Sequence, residues 1–120
     1  MLAVRNGIQA IEFYKAAFGA IELFRVGDGS DSVIAQMAID DCEFWLADES
    51  PDDFNFSPAT LGGGTVRMVL TVENPDAVFD RAIKAGAAVV WPVEDQPYGW
   101  RVGRLADPFG HHWEIGRPLA

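Results

Sequence analysis

The chain has 120 residues, enough for one domain with its own core and no need of disulfides or a structural metal. Hydrophobic residues make up 49% and charged residues 22%, which excludes wholesale disorder, while 9 Lys and Arg against 18 Asp and Glu give a net charge of −9 that would repel a nucleic acid backbone. No apolar run reaches the roughly 18 residues that cross a bilayer, no secretory pattern follows Met1-Leu2-Ala3-Val4-Arg5, and the single cysteine, Cys42, cannot form an internal disulfide, so a cytoplasmic protein with neither membrane nor nucleic acid partner is expected.

In chain order, a very short strand ends at Val4. Asn6 can cap a helix whose apolar positions are Ile8, Ile11, Tyr14, Ala17 and Phe18, and Gly19 can close it in the left-handed conformation. Strands are expected at Ile21–Val26, 32–39 and 43–47, with Asp40-Asp41 turning between the last two. Residues 48–64 read as a connector, with Pro51, Pro58 and a Gly62-Gly63-Gly64 run that neither follows a strand nor opens a helix as a nucleotide loop would. Seven acids lie between Asp40 and Asp53, but without the oxygen spacing of a calcium loop, so a solvated acidic linker is expected. Its two aromatics, Phe54 and Phe56, either anchor the connector or cover a cavity. A strand at 65–72 follows. Asn74 then caps a second helix, with Pro75 at its first position, Asp76 facing the positive end, Val78, Phe79, Ala82 and Ile83 as its stripe, and Gly86 as its stop. Strands at 88–92, 101–106 and 112–116 complete the chain, with Pro108-Phe109-Gly110 as a turn.

The second half nearly repeats the first. Val4-Arg5-Asn6 is echoed by Val72-Glu73-Asn74 at an offset of 68, Gly19 by Gly86 at 67, and Phe44-Trp45-Leu46 by Trp113-Glu114-Ile115 at 69. Met37-Ala38-Ile39-Asp40 likewise matches Leu105-Ala106-Asp107. So small a drift points to two copies of one βαβββ unit in a single α+β domain over 1–120: module 1 at about 1–50, the connector at about 48–64 and module 2 at about 64–120.

These residues carry a family pattern. Val4-Arg5-Asn6 with Ala10-Ile11-Glu12-Phe13-Tyr14-Lys15-Ala16-Ala17-Phe18-Gly19-Ala20 resembles the first βα unit of the vicinal oxygen chelate superfamily, which includes glyoxalase I, fosfomycin-resistance enzymes, extradiol dioxygenases and bleomycin-binding proteins. Asp107-Pro108-Phe109-Gly110-His111-His112-Trp113-Glu114-Ile115 resembles its closing hairpin, and Gly99-Trp100-Arg101 resembles a glyoxalase-like subgroup. The resemblance implies two βαβββ modules forming an open, curved, barrel-like sheet around a cavity, assembled as a homodimer. It also implies up to four metal-ligand slots. Each first-strand slot lies five residues before the valine that opens the turn into the helix, which is Arg67 in module 2 and falls ahead of Met1 in module 1. The last-strand slots are Glu114 and its repeat mate Trp45. Arg repels a divalent ion and Trp offers no lone pair, so no metal and no cofactor are expected.

Strand alternation puts Arg67, Val69 and Thr71 on one face and Met68, Leu70 and Val72 on the other. Arg67 then faces Glu114. The two either form an ion pair in place of a metal, or Arg67 receives an anionic ligand. His112 shares the face of Glu114, so the two could act as an acid–base pair or join a third donor in a rebuilt metal site. Trp45 fills a cavity slot. Tyr98, Trp100 and Arg101 stand at the mouth with Phe54 and Phe56, an aromatic set suited to an organic small molecule. Trp91 and Trp113 are expected to face the helices. The function expected is small-molecule binding of the glyoxalase/bleomycin-resistance type without the family metal; the alternative is a lyase, isomerase or dioxygenase-like enzyme using Glu114 with His112.

Overall fold

A computed structural model describes residues 1–28, 30 and 32–120. The elements follow the expected order: β1 (Leu2–Val4), α1 (Gly7–Phe18), β2 (Ile21–Val26), β3 (Ile34–Ile39), β4 (Cys42–Asp48), a 3₁₀ turn (Pro51–Asp53), α2 (Pro58–Leu61), β5 (Arg67–Thr71), α3 (Pro75–Ala85), β6 (Ala88–Asp95), β7 (Trp100–Ala106) and β8 (His112–Pro118). Both long helices are held by the predicted caps. The Asn6 side chain accepts from the N–H of Gln9 at 3.1 Å, and that of Asn74 from the N–H of Ala77 at 3.2 Å. Gly19, at φ 65°, ends α1 where an L side chain would be strained.

The connector is more ordered than a solvated linker. Buried Ser57 caps α2, and Gly62 closes it in the left-handed region. Two connector-side acids act as fasteners. Asp48 accepts from the N–H groups of Gly7 and Val33 at 2.9 and 2.8 Å, tying the start of α1 to the approach to β3. Glu49 accepts from the Ser57 N–H at 3.0 Å and the Thr60 hydroxyl at 2.8 Å; these bonds hold its carboxyl below the ordinary range, the Ser57 N–H most of all.

The strands form two four-stranded mixed sheets of one topology. Sheet 1 runs β1-β4-β3-β2 and sheet 2 runs β5-β8-β7-β6, with β1–β4 and β5–β8 parallel and the other pairs antiparallel. The fold is α+β, and the two sheets do not close on one another. The duplication extends to irregularities: β2 slips register between Glu22 and Phe24, and β6 does so between Val89 and Trp91. Each slip reverses which side chains face out. Trp91, expected against the helices, therefore stands opposite Arg104 on the far face and is 44% exposed.

The two modules share one core. The helices α1 and α3 pack together, with the inner face of sheet 1 on α1 and that of sheet 2 on α3. Trp113 of β8, almost fully buried, is gripped by module 1: its ring lies 4.7 Å from Phe18, 5.5 Å from Tyr14 and 5.9 Å from Phe44. Buried Asp107 serves as a polar pin. Its Oδ2 accepts from the Tyr14 hydroxyl at 2.5 Å and the Trp113 indole at 3.0 Å, and its Oδ1 accepts from the N–H groups of Phe109 and His111. Burial, then the charge of Asp107, pushes the Tyr14 hydroxyl well above the usual tyrosine range. Among the described residues no helix is long and apolar enough to cross a membrane.

Candidate functional site

With the helices in the middle, the outer face of each sheet is open to solvent, so one chain does not enclose the cavity expected between its modules. Trp45 and the Arg67–Glu114 pair sit on different outer faces. On sheet 1, Gln36 stands opposite Trp45 and Phe24 opposite Gln36. The Phe24 and Trp45 rings lie 6.2 Å apart, and Gln36 Nε2 donates to Glu43 at 3.0 Å.

Sheet 2 gathers the ionisable groups. Residues directly opposite on neighbouring strands share a face. Arg67 stands opposite His112, Val69 opposite Glu114, Thr71 opposite Gly116, Arg104 opposite Glu114, and Trp91 opposite Arg104. The expected Arg67–Glu114 contact is present, with Arg67 Nε 3.4 Å from Glu114 Oε1. The side chains are 54% and 24% exposed, so the pair is not a buried one. At that exposure an ion pair is worth about 0–1 kcal/mol, not the several kcal/mol of a buried pair. Beside it, Arg104 Nε donates to His112 Nδ1 at 2.9 Å, and the Arg104 guanidinium lies 5.0 Å over the Trp91 ring. A guanidinium cannot accept, so His112 must carry its ring proton on Nε2.

The other expected site residues lie elsewhere. Arg101 stands on the helix side of sheet 2, bonded to Asp76 at 2.7 and 2.8 Å and to Asp95 at 3.0 Å. Asp76, then Asp95, raise the pKa of Arg101 by accepting from it, and the same bond to Arg101 lowers that of Asp76. Trp100 is on the outer face but about 13 Å along β7 from Arg104, at roughly 3.3 Å per residue. Tyr98 is exposed in the β6–β7 turn. Phe54, held in the left-handed region at φ 63° and 84% exposed, lines a groove of about 460 Å³ with Phe56, Leu61, Val66 and Met68. A niche of about 110 Å³ adjoins this groove, lined by Arg67, Arg104 and His112. Pro58, Gly64, Thr65, Val66 and His111 border both. A broader hollow of about 1130 Å³ near Leu70, Glu73 and Arg117 lies at the other end of β5 and is widely open.

Sequence reasoning missed Arg104 and the outward Trp91. Arg104 was within reach, because the repeat pairs it with Gln36 at an offset of 68 and two-residue alternation from Trp100 puts it on the cavity side. Trp91 was not, because its facing depends on the bulge.

The family model of the Glyoxalase/Bleomycin resistance protein/Dioxygenase superfamily matches residues 1–115. An uncharacterized protein of Mycobacterium bovis is 43% identical over 122 residues, covering 98% of this chain and 80% of its own length. Among solved structures, an Arabidopsis thaliana gene product, AT5G48480, matches with TM-score 0.77 and 27% identity over 97% of this chain and 92% of its own. TioX from Micromonospora sp. ML1 matches with TM-score 0.75 and 28% identity over 98% and 94%.

Proposed function

Because the chain belongs to the Glyoxalase/Bleomycin resistance protein/Dioxygenase superfamily, we propose that it binds an organic small molecule on the outer face of sheet 2, without the metal ion of the metal-dependent members. The carrying observation is the Arg67–Glu114 pair. A transition-metal site needs about three converging neutral or anionic donors. Here the carboxylate of Glu114 has a guanidinium 3.4 Å away, and His112 Nδ1 is occupied by Arg104. Among the described residues no group of three or more His, Cys, Asp and Glu side chains is placed to hold an ion. What the face does offer is an aromatic ring, two guanidinium groups and an adjoining apolar groove, the mixture of a ligand site. The competing reading, Glu114 and His112 as an acid–base pair, has less support, since each already has a guanidinium against one of its working atoms.

The same reading includes a cytoplasmic homodimer. The strand edges argue only weakly for it, since bulges blunt the edge strands β2 and β6. The outer faces argue better: Phe24, Ile34 and Trp45 on sheet 1 and Val69 and Trp91 on sheet 2 are all more than a third exposed in the single chain. A two-fold dimer that sets sheet 1 of one copy over sheet 2 of the other would cover both and wall the ligand site. Calorimetric screening of small aromatic compounds against the chain and Trp91→Ala tests the reading. Binding that weakens about tenfold in the variant supports it, and binding indifferent to Trp91 removes sheet 2 as the site.

A further inference from the structure

The niche beside β5 and β8 is lined by Arg67, Arg104, His111 and His112, and no Asp or Glu lines it. That is a concentrated exception in a chain of net charge −9. Glu114 meets Arg67 but stays outside the lining. Arg67 and Arg104 each engage Nε, toward Glu114 and His112, and among the described residues their Nη groups make no hydrogen bond. His112 adds a donor, because its proton is on Nε2. At about 110 Å³ the niche has room for a compact polyatomic anion but not for a ring system with its substituents. Its open side meets the groove of about 460 Å³, whose wall is Phe54, Phe56, Leu61, Val66 and Met68. Asp48 also borders that groove, with both carboxylate oxygens already bonded to the N–H groups of Gly7 and Val33.

We propose that the ligand of this site is an amphipathic organic anion: its compact oxyanion head sits in the niche between Arg67 and Arg104, and its apolar body lies in the adjoining groove. This rests on the small-molecule reading above and narrows it to one substrate class. Two guanidinium forks and an imidazole N–H match an oxyanion, the bonds being charge-assisted. The Trp91 ring beneath the Arg104 guanidinium and the Nε bond to His112 hold that side chain in position in advance.

The test is calorimetric titration of the full chain with three probes of one shape: 2-naphthoate, 2-naphthylmethanol and 2-naphthylmethylamine. The inference predicts that naphthoate binds about tenfold or more tightly than the alcohol, and the amine weakest. Arg67→Met and Arg104→Met should each weaken naphthoate about tenfold while leaving the alcohol within about twofold. Both side chains lie on an outer face, and an unchanged thermal melt certifies each variant's fold. Equal binding of all three probes, unaffected by either variant, overturns the anionic class and leaves small-molecule binding standing. Failure of all three to bind overturns the inference and counts against the broader reading as well. Naphthoate binding that survives the double variant Arg67→Met/Arg104→Met places the anion elsewhere and also overturns it.

Discussion

On sheet 1, Phe24 leans on Trp45 while Gln36 reaches across to Glu43; at the matching places on sheet 2, Trp91 lies under Arg104, Arg104 reaches across to His112, and Glu114 stands where Trp45 does. The backbones agree as far as the first bulge, since Phe24 and Trp91 each follow a register slip in the first strand after a helix; β6 then slips a second time before Glu94, as β2 does not. Even the diagonal side-chain bond is kept, as amide to carboxylate on one sheet and guanidinium to imidazole on the other. What differs is charge: the sheet 1 set carries one acid, Glu43, beside two aromatics and an amide, whereas the sheet 2 set carries an arginine, a histidine and a glutamate, and Arg67 on β5 adds a second guanidinium. A duplicated scaffold has kept its geometry while the side chains on its two outer faces diverged, aromatic on one and richer in ionisable groups on the other, which is how one fold comes to host unlike functions.

The comparison can be broken at its shared foundation first. Trp113→Ala removes the ring that Phe18, Tyr14 and Phe44 enclose and should cost about 3–5 kcal/mol in denaturant unfolding, since a buried Trp leaves a large cavity. A loss below about 1 kcal/mol would mean the modules are not joined there.

Next in size is the contrast between the faces themselves. Trp45→Glu places a second acid near Glu43 on sheet 1 and should shift a dimer toward monomer by about 2 kcal/mol or more, read by sedimentation across a concentration series. If the variant sediments like the parent chain, sheet 1 is not the covered face.

Tyr14→Phe should cost about 1–3 kcal/mol by leaving Asp107 short of a donor. It also has a pH signature. The folded pKa of Tyr14 lies above its unfolded value of 10.0, so the stabilisation is complete below about pH 10. It is lost as pH rises toward the folded value, because the unfolded chain gives up the proton first. The Tyr14→Phe variant should lack this part of the alkaline decline; an identical decline in both proteins contradicts the assignment.

The smallest effect belongs to the ion pair. Arg67→Met and Glu114→Gln should each change stability by about 0–1 kcal/mol, given the exposure of both groups. A double-mutant cycle with a coupling of several kcal/mol would show that assembly buries the pair far more deeply than one chain does.

Much of this was legible in the sequence because it is encoded locally. Asn6 and Gly19, then Asn74, Pro75 and Gly86, mark both helices, and their common spacing exposes the duplication. The meeting of Arg67 with Glu114 was also readable, because alternation and the resemblance agree on one face. The rest depends on tertiary choices. The facing of Trp91 follows from a one-residue slip that no periodicity announces. Arg101 is taken by Asp76, 25 residues away in sequence, which only the packing of α3 on β7 reveals. The outward aspect of both faces follows from the packing of α1 against α3 between the two sheets. The connector looked solvated because its composition is acidic, whereas Asp48 and Glu49 use their charge on backbone N–H groups.

The central claim is that the slots around Glu114 form a receptor for an organic ligand and do not hold a metal. Elemental analysis of the purified chain, before and after incubation with zinc, nickel, manganese or iron and removal of free ion, tests it most directly. The account predicts no stoichiometric metal and no difference between the chain and Glu114→Gln. About one ion per chain, lost in Glu114→Gln, would contradict it.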